Sequence, residues 1–219
     1  VLEFTEPGGM MDQYSTAVGN VIYLASHPEI SITTYQQALG TFVLGDSGEP
    51  KDTLGILSRV KFGTLGGIQK IKAIDPSFDL ATTTVAFCEQ YRSQLSEDEW
   101  ILLTANISDR DILLAAKKMF EGEEAWDDVR LGKLLNEHQE NLREHKQIST
   151  PKIDRMITAA LAAGALGAKI NGSGGGGCMF AYAPTNPEAV VEAIEKEGGK
   201  AYIIRVDVGT QQEKASLFY

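Results

Sequence analysis

Ala165-Leu166-Gly167-Ala168-Lys169-Ile170-Asn171-Gly172-Ser173-Gly174-Gly175-Gly176-Gly177-Cys178 is the stretch that decides how this chain is built. Its second half, Gly172 to Gly177, places five glycines in six residues. Glycine loses more backbone freedom on folding than any other residue, so a passive connection gains nothing from such a run. The string satisfies G-x-G-x-x-G, but a dinucleotide fold needs a strand before the loop and a helix after it. Here the pattern reads as a helix before and a strand after, which excludes that fold. A Walker-type phosphate loop fails as well. The nearest candidate starts at Gly45, but Pro50 stands where the second glycine belongs and Asp52 replaces the hydroxyl residue after Lys51. Two physical explanations remain open. Successive amides can form an anion-binding nest, or the loop can be a tight connection against a neighbour that leaves no room for a Cβ.

Working outward, Thr150 followed by Pro151 is a helix start, with proline at the first position, where no amide donor is needed. The spacing predicts a helix from there to about Gly164. After the glycines come a strand over 178–182, a helix over 187–197 and a strand over 201–208. Upstream, Leu131, Leu134, Leu135, His138 and Leu142 fall on one face of a helix between Asp128 and Lys146. Helices are also predicted over 80–94 and 109–121. Runs of β-branched and aromatic residues at 21–24, 30–33 and 41–44 read as strands, and the segment 45–50 reads as a loop. A short helix follows Gly8-Gly9 from Met10 to about Gly19. Helices and strands in segregated runs indicate an α+β fold.

The 20 Lys and Arg stand against 30 Asp and Glu, a net charge of −10, which argues against nucleic acid or a membrane surface as the partner. No apolar run is long enough to span a bilayer, and no basic-then-apolar leader opens the chain. Two cysteines, Cys88 and Cys178, make no disulfide framework, which implies a reducing, cytoplasmic setting. The chain opens at Val1 and is already committed to Pro7-Gly8-Gly9 and a helix, as expected of the carboxy-terminal part of a longer protein.

Asp12 lies in the first turn of that helix. The helix dipole favours its charge, and a carboxylate there can orient a substrate hydroxyl or accept its proton; the plainer role is to complement the dipole. His138 and His145 share a helix face, but no third ligand is spaced to complete a metal site, so no metal ligands are expected and His138 reads as a core histidine. Cys178 has no histidine beside it in sequence and reads as a structural thiol.

The fourteen residues from Ala165 to Cys178 resemble the carboxy-terminal glycine motif of the GHMP small-molecule kinases, named for galactokinase, homoserine kinase, mevalonate kinase and phosphomevalonate kinase. Gly9-Met10-Met11-Asp12-Gln13-Tyr14 is similar to the segment that carries the catalytic aspartate in the sugar-directed branch. Leu131 to Arg143 resembles the helix ahead of the glycine motif. The resemblance implies an α+β fold in which residues 1–50 are the remainder of the amino-terminal, catalytic-aspartate domain. Residues 51–219 would form a ferredoxin-like α/β sandwich. It further implies transfer of the γ-phosphoryl group of ATP, with Mg2+, to a hydroxyl of a small metabolite. Asp12 would be the catalytic carboxylate, Gly9 and Ser47 substrate contacts, and Gly172, Ser173, Gly174, Gly175, Gly176 and Gly177 the turn around the phosphates. The family's serine-rich phosphate loop does not occur within the 219 residues. The chain alone is therefore expected to be inactive, with most Mg2+ ligands upstream, in the same gene product or on a second polypeptide. The Asp12 segment favours a sugar as acceptor. Asp46 to Thr53 and Ser149-Thr150-Pro151 resemble mevalonate kinases equally well, and a catalytically silent sugar- or ATP-binding regulator is the remaining alternative.

Overall fold

The structure, a computed structural model, describes residues 10–26, 28–51 and 53–211. The chain divides into two compact units, residues 1–39 with 205–219, and residues 40–204. In the first, helix α1 (Met11–Val18) leads through Gly19 and Asn20, both left-handed, into an antiparallel hairpin of β1 (Val21–Ala25) and β2 (Ser31–Tyr35). The late segment crosses this corner. Asn20 donates its N–H to Asp207 O, and Thr210 N–H reaches Ala17 O at 3.2 Å. The expected strand over 201–208 therefore ends early, and residues from 205 onward join the first unit.

The second unit is built on β3 (Phe42–Asp46), paired antiparallel on both sides, with β5 (Cys178–Tyr182) and β6 (Lys200–Ile204). Strand β4 (Gly167–Ile170) adds to the far side of β5, giving the order β4-β5-β3-β6. In chain order within the unit that is second, third, first, fourth, the arrangement of a β-α-β-β-α-β ferredoxin-like sheet. Because β3 is a central strand of this sheet, the second compact unit begins at Gly40 and ends at Ile204.

Helix α6 (Pro151–Ala162) starts as its sequence dictates, with Thr150 Oγ1 accepting from Ile153 N at 3.3 Å. Its Ile153, Met156, Ile157 and Ala160, at helical spacing, are buried against the sheet. Val190 and Ile194 of α7 (Pro187–Lys196) complete the same core. A second core lies between α2 (Thr53–Ile74), α4 (Glu97–Phe120) and the short α3 (Val85–Cys88) with its 3-10 extension Glu89–Gln94. It gathers Ile71, Phe78, Cys88, Tyr91, Leu95, Leu103 and Ile107.

Three differences from the sequence pattern have physical causes. Helix α2 carries glycines that read as breaks; at Gly63 a Cβ would meet Leu102 Cδ1 at 2.5 Å, so the glycine marks close approach to α4. The expected helix over 80–94 is broken because Asp79 folds its own turn, accepting from Ala81 N at 3.0 Å, and Thr84 caps a new start by accepting from Phe87 N at 3.1 Å. Helix α4 begins well before residue 109, under a capping box of Ser96 and Glu99.

Helix α5 (Asp128–Glu140) is held on the outer edge of β4. Its amide side chains do the work of a missing strand. Asn136 accepts from Ala168 N at 2.9 Å and donates to Leu166 O at 3.2 Å, and Gln139 accepts from Ile170 N at 2.8 Å. An edge strand's bare N–H and C=O groups are thereby satisfied without a fifth strand. The approach is close enough that a Cβ at Gly132 would sit 2.4 Å from Leu166 O. Tyr182 Oη donates to Asp128 at the start of α5, and burial, together with that carboxylate, pushes the phenol up to about 12.

Two outcomes follow in urea unfolding. Met156→Ala, at a fully buried site, should lower stability by about 2–5 kcal/mol with an unchanged slope. Gln139→Leu, which strands the buried Ile170 N–H, should lose about 1–3 kcal/mol although it adds apolar surface.

Candidate functional site

Three segments of the second unit meet at the glycines: the β3–α2 loop at 47–51, the approach to α6 at 148–152, and the turn itself at 172–177. The turn joins β4 to β5, so a strand and not a helix precedes it; a strand follows, and the dinucleotide fold stays excluded. Gly172, Gly174, Gly175, Gly176 and Gly177 all have positive φ, between 70° and 124°. Space forbids side chains as strictly as the backbone does. A Cβ at Gly174 would lie 2.5 Å from Ile148 O, and one at Gly176 would lie 2.5 Å from Pro50 O. Of the two explanations left open by the sequence, these contacts show the tight connection against a neighbour.

Backbone bonds fix the turn at alternate residues. Gly175 N–H donates to Ile148 O at 2.7 Å, and Gly177 N–H donates to Glu49 O at 3.0 Å. Among the described residues, the N–H groups of Gly172, Ser173, Gly174 and Gly176 donate to no other backbone group. Lys51 lies along the same turn. Its Nζ is 3.1 Å from where a Gly172 Cβ would stand, and its Cε is 2.3 Å from the Gly177 position. A lysine ammonium beside amides that have no backbone acceptor among the described residues is a combination suited to an anion.

Ser47 is buried, 2% exposed, beneath this turn. Its Oγ donates to Gly177 O at 2.6 Å and accepts from Glu49 N at 3.1 Å, and its own N–H donates to Gly177 O at 3.0 Å. Lys152 Nζ donates to Ser47 O at 2.6 Å, and Thr150 Oγ1 donates to Glu49. The hydroxyl is therefore a clamp on the turn. Lys51, Lys152 and Thr150 were not singled out from the sequence as site residues. The only signals were the Lys51 that closes the Asp46–Lys51 loop and the Thr150 cap, each with a simpler local role.

Asp12 stands in the first turn of α1, exposed, with Ser15 Oγ donating to its backbone O at 3.2 Å. It belongs to the first unit and the turn to the second. Gly9 lies outside the described residues.

Nearby charged groups are displaced by burial. Lys169 of β4 donates to Ile170 O at 2.8 Å and stands 5.1 Å over the Phe180 ring. Burial brings it down to about 8, with Asp109 opposing. His138 is brought down to about 4, first by burial and then by Lys169, with Asp109 opposing. His145 Nδ1 is bonded to Asn141 Oδ1 at 3.0 Å. Among the described residues no three His, Cys, Asp or Glu side chains gather as a metal-holding group. Burial raises the Cys178 thiol, in keeping with an inert group. No helix of the described residues is long and apolar enough to cross a membrane.

Both displaced groups hold fewer protons folded than unfolded, so stability should rise with pH across two windows, from about 4 to 6.5 for His138 and from about 8 to 10.5 for Lys169. Chemical denaturation across pH should show both rises. Lys169→Met should remove the alkaline one and narrow the acidic one, because the lysine charge is itself a cause of the His138 shift.

Residues 123–200 match the family model described as GHMP kinases C terminal. Mevalonate kinase of Thermococcus onnurineus is 44% identical over 87 residues, 39% of this chain and 26% of that protein. Mevalonate kinase of Pyrococcus furiosus is 46% identical over 77 residues, 35% of this chain and 23% of that protein. Galactokinase of Roseiflexus sp. is 43% identical over 80 residues, 36% and 20% respectively. The matched part is thus about a quarter of the length of those relatives. Among solved structures, Lactococcus lactis galactokinase complexed with galactose superposes with a TM-score of 0.77 at 18% identity, over 94% of this chain and 55% of that one. L. major mevalonate kinase in complex with R-mevalonate gives 0.62 at 19% identity, over 93% and 54%. The two superpositions establish the fold, and residues 123–200, which contain the glycine turn and the α5 edge, match the carboxy-terminal domain of the GHMP kinases.

Proposed function

We propose that this chain is the carboxy-terminal part of an ATP-dependent kinase that moves the γ-phosphoryl group to a hydroxyl of a small molecule, in a cytoplasmic setting that suits its two free thiols. The observation that carries this reading is the glycine turn, with five left-handed glycines and Lys51 laid along it. Phosphoryl transfer asks little covalent chemistry of a protein and much positioning and charge stabilisation. A turn fixed by backbone bonds, with amides and the Lys51 ammonium along it, would supply both beside the transferring phosphates.

In this reading Asp12 orients the acceptor hydroxyl and takes its proton as the oxygen bonds to the γ-phosphorus; the bond to the bridging oxygen of ADP breaks. Gly9 would touch the acceptor, and Ser47 acts by holding the turn. Residues 10–39 with 205–211 would belong to the domain of the catalytic aspartate, and 40–204 to the carboxy-terminal domain. The acceptor is a sugar in our first reading, supported by Gly9-Met10-Met11-Asp12-Gln13. Mevalonate is the second, favoured by relatives 42–47% identical over 77–87 residues.

The test is ADP release by the full-length gene product over a panel of hexoses and mevalonate. Sugar-dependent release is expected. Release with mevalonate alone would overturn the sugar, and saturable ATP binding with no release would mark a silent regulator. In the active protein Asp12→Asn should lower kcat by about 10²–10⁴ with little change in KM for ATP.

A further inference from the structure

Helix α4 buries Leu102, Leu103, Ala105 and Ile107, yet carries Asn106, Ser108 and Asp109 in the same stretch. Those three face a five-residue π-helical turn, Asn141–His145, that continues α5. Asn141, itself buried, donates to Asp109 Oδ1 at 2.9 Å and to Ser108 Oγ at 2.8 Å. Lys146 Nζ donates to Asp109 Oδ2 and, at 3.1 Å, to Asn106 Oδ1. The Lys146 and Asp109 side chains are only 11% and 16% exposed, so water competes poorly for the pair. From α2, Arg59 donates to the Lys146 carbonyl, and Thr64 Oγ1 accepts from Asn106 at 3.1 Å.

The chain beyond Lys146 is then fully constrained. Lys146 N–H donates to Asn141 O at 2.9 Å, Gln147 is left-handed at φ 51°, and Ile148 N–H donates to Leu142 O at 2.9 Å. A left-handed non-glycine residue persists only when its neighbours hold it. Ile148 in turn touches the glycine turn twice. Its carbonyl accepts from Gly175, and its carbonyl and Cβ fill the space a Gly174 side chain would need.

We propose that the Asp109–Asn141–Lys146 network is a positioning device for the glycine turn, in which the helical layer sets Ile148 and Ile148 sets Gly174 and Gly175. Asp109, Asn141 and Lys146 are positioning residues; they act through Ile148. The competing role is a plain staple between α4 and α5. The two differ locally. A device for the turn protects the Gly175 amide more than the Ala168 and Ile170 amides, which α5 holds through Asn136 and Gln139.

The experiment is native-state amide exchange by NMR on the 219-residue chain, with no nucleotide, so that its result stands apart from the kinase reading. In Lys146→Met, Gly175 should exchange roughly tenfold faster while Ala168 and Ile170 keep their rates. Lys146→Arg, which retains a cation for Asp109, should restore most of the protection. Equal acceleration at all three amides, or no change at Gly175, would leave only a staple and overturn the proposal. Should Lys146→Met not fold, Asn106→Ala removes one of the two Lys146 contacts and is read in the same way.

Discussion

The satisfied edge of β4 is the constraint from which the rest of this unit is arranged. A four-residue edge strand with bare backbone groups is a poor base for a functional turn, because it can slip or pair elsewhere. Here α5 lies so close that Gly132 and Gly167 meet backbone to backbone, and Asn136 and Gln139 bond to the strand at alternate residues. Asn136 meets Ala168 N–H and Leu166 O, and Gln139 meets Ile170 N–H, so two side chains three apart on the helix serve strand groups at every second residue. The register of β4 against β5 is fixed from outside as well as inside, and the glycine turn between them inherits that register.

The turn itself is held by two separate pieces of chain that are distant from it in sequence. Ile148 binds its middle, Glu49 its end, and Ser47 the carbonyl of that end. The resemblance implies a substrate contact for Ser47, whereas its hydroxyl in the structure is buried and bonded within the protein. A residue that shapes a site and one that touches a ligand occupy the same sequence neighbourhood. Only the direction of the hydroxyl tells them apart, and spacing carries no information about it.

What the sequence made legible were the features that local chemistry decides. Thr150-Pro151 starts its helix where capping and the missing proline amide require, and the strands around Val43 and Phe180 follow their β-branched and aromatic runs. The glycine run announced a turn at the right place. Hidden features were those that tertiary contact decides. Helix α2 was obscured by glycines whose purpose is to admit Leu102 and Glu99 of α4. Strand β4, read as the tail of a helix and a loop, is too short and too rich in Gly and Ala to show a period of two, and exists because β5 and α5 flank it. Lys51 stood in a failed Walker match and in the Asp46–Thr53 segment, and neither pattern told that it lies along the glycine turn.

The polar residues of α4 make the same point about energetics. Asn106, Ser108 and Asp109 interrupt an apolar face, and on helical periodicity they belong in solvent. Placing a carboxylate between helices is unfavourable unless its partners satisfy it. Lys146 and Asn141 do so, with Asn106 on the lysine. Apolar side chains of similar volume could join these helices at no loss of stability. They could not fix the left-handed Gln147 and the carbonyl of Ile148, because apolar contact is non-directional. Direction is what a glycine turn lacks on its own, having no side chains to lock it. A network of hydrogen-bonded polar groups in the helical layer supplies that direction through one isoleucine, which is why α4 carries Asp109 and Asn106 on an otherwise apolar face.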